Sequence, residues 1–243
     1  GDPDFPFDWD ILSNRLPGMG RGDLGIIFAR PETGKTTFCA FIASMYIKQK
    51  QRVVYWANEE HAEKIKKRVI QAYFQLTSQE LQADSEELDR RYLEEIDPYL
   101  IVMDAVGVSM DELNDYAQLN TPDVMFCDQL DKFRVDGNFS RGDERLKETY
   151  VLAREVAKRN KLLVWAVSQA SYDGHDRQFI DYSMMDNSKT GKAGEADIII
   201  GIAKTGGSDV ENTMRFLCIS KNKLNGWHGP INTQIDVQKG VYY

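Results

Sequence analysis

Short apolar runs bounded by turn-forming or charged residues alternate along this chain with stretches in which apolar positions recur at helical spacing. The runs are residues 23–29, 52–57, 100–104, 124–128, 162–168, 197–203 and 214–220, with a last strand near 233–237. Helices are predicted at 35–49, 62–76, 85–96, 109–118 and 141–160. Alternation of this kind predicts an α/β fold with a mostly parallel central sheet flanked by helices. Residues 137–142 and 171–194 read as loops. The second is about two dozen residues long, a length that compact domains keep for function or leave disordered. Residues 1–15, with Pro3, Pro6 and aromatics, read as a tether crossing the surface of the domain, and residues 16–243 as the domain itself. No internal repeat is visible.

Composition narrows the class without changing this picture. The 243 residues are 42% hydrophobic and 28% charged, with 18 Gly and 7 Pro, which excludes collagen-like, disordered and low-complexity chains. Cys39, Cys127 and Cys218 are far apart and form no close pair, so neither a disulfide scaffold nor a cysteine-rich metal site is expected. His61, His175 and His228 share no ligand spacing with them. No apolar run reaches the length of a membrane span, and the opening residues lack the pattern of a signal peptide, so a cytoplasmic location is expected. The net charge of −8 argues against nonspecific nucleic-acid adhesion through the whole surface, although it leaves room for a local basic channel. Charge is uneven: residues 77–99 hold eight acids against Arg90 and Arg91, whereas residues 132–161 hold nine bases against five acids.

The strongest chemical signal is Ala29-Arg30-Pro31-Glu32-Thr33-Gly34-Lys35-Thr36-Thr37, which follows an apolar run and opens a predicted helix. A strand turning directly into a helix aims backbone N–H groups and the positive end of the helix dipole at one spot, where a polyphosphate sits. Lys35 is placed to reach the β- and γ-phosphates of ATP, and the Thr36 hydroxyl to ligate Mg²⁺. Ala29 stands where glycine is usual. Asp128, ending four apolar residues, is the expected Mg²⁺-associated acid at the carboxyl edge of the sheet. Glu59 and Glu60 close another strand, and either one is a candidate general base. Gln169 ends a further strand with an amide suited to the γ-phosphate or the attacking water. In the long loop, Arg177, Lys189 and Lys192 are interleaved with Tyr172, Phe179 and Tyr182, a mixture that suits single-stranded DNA. No second cation within one subunit is expected over the γ-phosphate.

Five ordered motifs resemble the RecA-like motor domain of DnaB-family replicative helicases. They are the Ala29-Arg30-Pro31 entry to the phosphate loop, Asn58-Glu59-Glu60, Asp128, Ser168-Gln169, and the run from Met185-Asp186-Asn187-Ser188 through Ala196-Asp197 to Lys221-Asn222-Lys223. The resemblance runs from Leu16 to about Asp236 and implies a RecA-like P-loop NTPase fold. It places the catalytic glutamate on Glu59 and puts Lys221 and Lys223 against a neighbour's nucleotide, with Lys223 where the family usually has arginine. It further implies ATP and Mg²⁺ as cofactors, single-stranded DNA as substrate, a hexameric homo-oligomeric ring, and primase or other replication proteins as partners. RadA-like recombination ATPases and KaiC-like ATPases share some of these motifs and stand as the alternative, acting in strand exchange or as a nucleotide-dependent scaffold.

Overall fold

A computed structural model describes residues 1–206 and 212–243. Its strands are β1 (Phe5–Pro6), β2 (Gly18–Met19), β3 (Leu24–Ala29), β4 (Val53–Ala57), β5 (Leu100–Asp104), β6 (Val124–Asp128), β7 (Leu163–Gln169), β8 (Ile198–Ala203), β9 (Met214–Asn222), β10 (Gly229–Asp236) and β11 (Val241–Tyr242). Its helices are α1 (Asp10–Ser13), α2 (Lys35–Lys48), α3 (Ala62–Phe74), α4 (Ser78–Ala83), α5 (Ser85–Glu95), α6 (Met110–Asn120) and α7 (Gly142–Asn160). Nine strands form one sheet in the order β11-β10-β9-β8-β3-β7-β6-β4-β5. From β8 to β5 every pairing is parallel, while β9, β10 and β11 extend the sheet antiparallel. The expected mostly parallel, helix-flanked sheet is therefore present.

Side chains alternate across β3 and divide the interior in two. Ile27 and Ala29 join the layer built from α2 and α3, whereas Leu24, Ile26 and Phe28 join the layer built from α6 and α7. Helices on both faces explain why β3, β4 and β6 are buried along their whole length. Helix α2 runs through the first layer with twelve of its fourteen residues buried. Gly25 is required by this packing, because a Cβ there would lie 2.4 Å from the Trp165 ring. Trp165 in turn donates its indole N–H to the Tyr46 hydroxyl of α2 at 3.0 Å. Helix α6 begins with a reciprocal cap in which Ser109 Oγ accepts the Glu112 N–H at 3.1 Å and the Glu112 carboxylate accepts the Ser109 N–H at 3.3 Å.

Two expectations change. The opening residues are part of the core: Phe5, Leu12 and Leu16 are fully buried and Phe7 nearly so. Phe5 meets Tyr46 edge-on at 5.9 Å, Trp9 meets Phe41 at 5.2 Å, and β1 pairs antiparallel with β2. Their aromatics bury far more apolar surface than a solvated tether retains. The last predicted strand is longer and starts earlier, as β10, because it pairs residue for residue with β9 from Gly229 to Gln234. Cys39, Cys127 and Cys218 are buried and unpaired. Among the described residues, no helix is long and apolar enough to cross a membrane.

Candidate phosphate-binding site

The carboxyl end of β3 turns through residues 30–34 into α2. Gly34 is held at φ +105°, and a Cβ on it would come within 2.6 Å of Ile235 and 2.7 Å of the Tyr242 hydroxyl, so both conformation and packing demand glycine. The loop is braced from behind. Buried Arg215 donates Nε–H to the Thr33 carbonyl at 2.7 Å, and the Tyr242 hydroxyl donates to the Gly34 carbonyl at 2.8 Å. These bonds occupy carbonyls, while the first N–H groups of α2 have no side-chain cap and no partner within the helix. In front lies a cavity of about 340 Å³ whose lining includes Arg30, Lys35, Thr36, Glu59, Arg68 and Arg215. Pro31, Glu32, Gly34 and Thr37 also line it, whereas Ala29 is buried as the last residue of β3 and Thr33 is nearly so. Three arginines of the same chain, Arg30, Arg68 and Arg215, thus line the cavity with Lys35, Arg68 being held by Glu60 and Arg215 by the Thr33 carbonyl. Arg215 lies far along the chain and Arg68 on a helix, so nothing local in the sequence joins them to the loop. The one available sign is a lone arginine inside the apolar run of β9.

Lys35 is buried, and its Nζ stands 3.8 Å from Glu59 Oε2. The two adjacent glutamates differ sharply. Arg68 grips the Glu60 carboxylate with Nε–H at 2.9 Å and Nη2–H at 2.7 Å, and this hydrogen bonding holds the Glu60 carboxyl below the usual range. Glu59 keeps a half-exposed side chain in the cavity. The turn between them is anchored from below, since Asp128 Oδ2 accepts the N–H groups of Asn58 at 3.3 Å and Glu59 at 3.0 Å, and Asp104 Oδ1 accepts that of Ala62 at 3.1 Å. Asp128 is buried and lies behind the cavity. A threonine hydroxyl and a carboxylate are hard oxygen donors, the set Mg²⁺ accepts while keeping several of its waters.

The remaining expected residues fall elsewhere. The Gln169 backbone runs beside Ala29, but its side chain lines a neighbouring cavity of about 290 Å³ together with Gln129, Lys132, Arg145, Ser168 and Asn187. Strand β9 is antiparallel to β8, pairing Ala203 with Phe216 and Ile198 with Asn222, so Lys221 and Lys223 sit at the sheet edge opposite the phosphate loop. At about 3.3 Å per residue, six residues of β8 separate those edges by about 20 Å. Neither lysine reaches its own loop. Lys221 Nζ donates to the carbonyls of Ala193 at 2.7 Å and Gly194 at 3.1 Å, and burial lowers its pKa with help from the Lys223 charge, while Lys223 itself is exposed. Residues 171–194 form a loop with short 3-10 turns, in which Arg177 and Lys189 are exposed. Lys192 does not share that surface. It is fully buried, and its Nζ donates to Asp131 Oδ2 at 2.9 Å and Ser168 Oγ at 2.8 Å, which removes it from the expected DNA-facing set.

A parallel sheet with antiparallel strands at one end, and a strand, loop and helix cradling a cavity at its carboxyl edge, defines a RecA-like ATPase domain. The chain belongs to the family described as DnaB-like helicase C terminal domain, which matches residues 6–238. An ATP-dependent helicase motor is thereby the function class, and the recombinase-like and clock-like alternatives are not favoured. Two solved structures share the fold at 19% identity. One is described as an ATPase domain, with TM-score 0.81, 94% of this chain and 87% of that chain covered. The other is a DnaB-like replicative helicase described with its interactions with primase, with TM-score 0.85, 100% of this chain and 64% of that chain covered. This chain therefore spans a little under two thirds of the second protein's length. No curated protein matches it.

Proposed function

We propose that this chain hydrolyses ATP and uses the cycle to move along single-stranded DNA and separate duplex, working in the cytoplasm as a hexameric ring during replication. The observation that carries this reading is the pairing in one cavity of buried Lys35 with an uncommitted Glu59 at 3.8 Å, beside a Glu60 already held by Arg68. Backbone N–H groups of the loop from Glu32 to Thr37, at the start of α2, bind the phosphates with Arg30 and Pro31 lining the entry, and Lys35 neutralises charge on the β- and γ-phosphoryl oxygens. Thr36 and Asp128 would hold Mg²⁺, which when bound supplies further charge neutralisation there. Glu59 accepts the proton of the attacking water. Such chemistry depends on positioning and charge stabilisation more than on covalent steps.

Lys221 and Lys223 act on a neighbouring subunit's nucleotide, a role supported by their place at the opposite sheet edge from their own loop. Single-stranded DNA contacts Arg177 and Lys189. Residues 16–243 make up the motor, with residues 1–15 as its packed entry segment, and primase is a partner. Strand displacement on a forked duplex tests the reading as a whole. Displacement that requires both ATP and Mg²⁺ is the expected result, whereas ATP hydrolysis without displacement, in a protein of hexameric mass, would sink the helicase reading.

A further inference from the structure

Asp131 follows Asp128 by three residues, and Ser168 immediately precedes Gln169, so both stand at the carboxyl ends of β6 and β7, on the sheet edge that carries the phosphate loop. Lys192 belongs to a different segment, the loop that follows Gln169. Its ammonium bridges the two strand ends, donating to Asp131 Oδ2 and Ser168 Oγ from a fully buried position, with the Tyr150 ring 5.5 Å beneath it. Asp131 is the hub of this cluster. Its Oδ1 accepts the Tyr150 hydroxyl at 2.5 Å, its Oδ2 also accepts Asn187 Nδ2–H at 3.2 Å, and its carbonyl accepts Arg145 Nη2–H at 3.2 Å. The loop is tied to β7 at a second place, where Asp186 N–H donates to the Gln169 carbonyl at 2.8 Å, and Ala170 N–H donates to the Ala29 carbonyl at 2.9 Å. Exposed Lys189 precedes Lys192 by three residues.

Burial disfavours the charged ammonium and lowers the Lys192 pKa. A buried ion pair is often replaceable by an apolar side chain without loss of stability, so packing alone does not call for a lysine here. What a lysine does, and a methionine cannot, is hold two separate strand ends and one loop through directional bonds. We infer that Lys192 is a positioning residue that couples the nucleotide side of the sheet to the DNA-facing loop. Any shift of the β6 or β7 end on γ-phosphate binding or loss pulls the same ammonium, and with it the turn that presents Lys189. This inference rests on the proposed function, in which that loop meets single-stranded DNA.

The test compares ATP turnover of the whole chain with and without oligo(dT), in the parent, Lys192→Met and Ser168→Ala, with DNA affinity and thermal unfolding measured alongside. Effector coupling typically amounts to about 5- to 150-fold. In Lys192→Met the ratio of stimulated to basal turnover is expected to fall to about one, with basal turnover and oligo(dT) affinity kept within about twofold. Ser168→Ala removes one of two acceptors and is expected to give an intermediate ratio; it decides the matter if Lys192→Met does not fold. A merely structural role would lower the unfolding temperature and leave the ratio alone. A parent-like ratio in the folded variants overturns the coupling role while leaving the proposed function standing. A parent that oligo(dT) neither binds nor stimulates overturns the DNA reading first and the coupling role with it.

Discussion

A buried lysine stands in the phosphate-loop cavity and another lies behind Asp131 and Ser168, which line the cavity beside Gln169, and the two are used in opposite ways. Lys35 is 6% exposed, and its ammonium has a carboxylate only at the outer limit of an ion pair, 3.8 Å away. Lys192 is fully buried, and its ammonium is committed to Asp131 and Ser168 at ordinary hydrogen-bond distances. A buried charge that lacks close partners is costly unless a ligand completes it, whereas a fully bonded one rigidifies what surrounds it. The first arrangement suits binding, and the second suits holding parts together. The same contrast separates the neighbouring acids: Glu59 is open to the cavity and Glu60 is closed by Arg68.

Substitutions at these residues can break the contrast or sharpen it. Lys35→Ala carries the largest expected effect, a fall in ATP turnover of about 10³-fold with the unfolding temperature little changed, because no other group lies directly at the start of α2 to replace its charge. Undiminished turnover would remove the distinction between the two lysines. Next come the glutamates. Glu59→Gln should keep ATP binding and lower kcat by about 10²-fold or more, while Glu60→Gln should cost less than about tenfold. Reversed magnitudes, read from steady-state kinetics on both variants, would move the base to Glu60 and make the Arg68 grip part of catalysis. The smallest effect concerns DNA. Replacing Arg177 and Lys189 with Ala should flatten the log–log salt dependence of single-stranded DNA affinity by about 1.4, at ~0.7 per phosphate contact. Lys192→Met should leave that slope unchanged, and an equal flattening would place Lys192 among the DNA contacts after all.

Much of the nucleotide side is legible in the sequence because its determinants are local. A strand, a turn with one obligatory glycine and a helix lie within about fifteen consecutive residues of Leu24–Thr37, and Asp128 and Glu59 each close an apolar run that marks its own end. What escapes is what the fold assembles from distant segments. Arg215 reaches Thr33 across 182 positions and Lys192 reaches Asp131 across 61, and neither spacing carries a periodicity to read. Loop residues 177, 189 and 192 look alike as cations in a polar stretch. Only the tertiary structure shows that Asp131 withdraws the third and leaves the others exposed. The packed entry segment hides for a related reason, since prolines and charged neighbours obscure the apolar spacing of Phe5, Phe7 and Leu12.

Helix α2 sets the mechanics of the molecule. An element buried on every side, gripped through Tyr46 by Trp165 and through its first residues by β10 and β11, has no free face along which to tilt or slide. Interiors packed to this density are stiff and pass strain onward with little local yielding. The phosphate loop is therefore the stationary part of the machine. Displacement during a nucleotide cycle has to appear away from it, in the exposed turns of the loop beyond Gln169 and just past the end of β9, which are the places where the exposed cations Arg177, Lys189 and Lys223 are mounted.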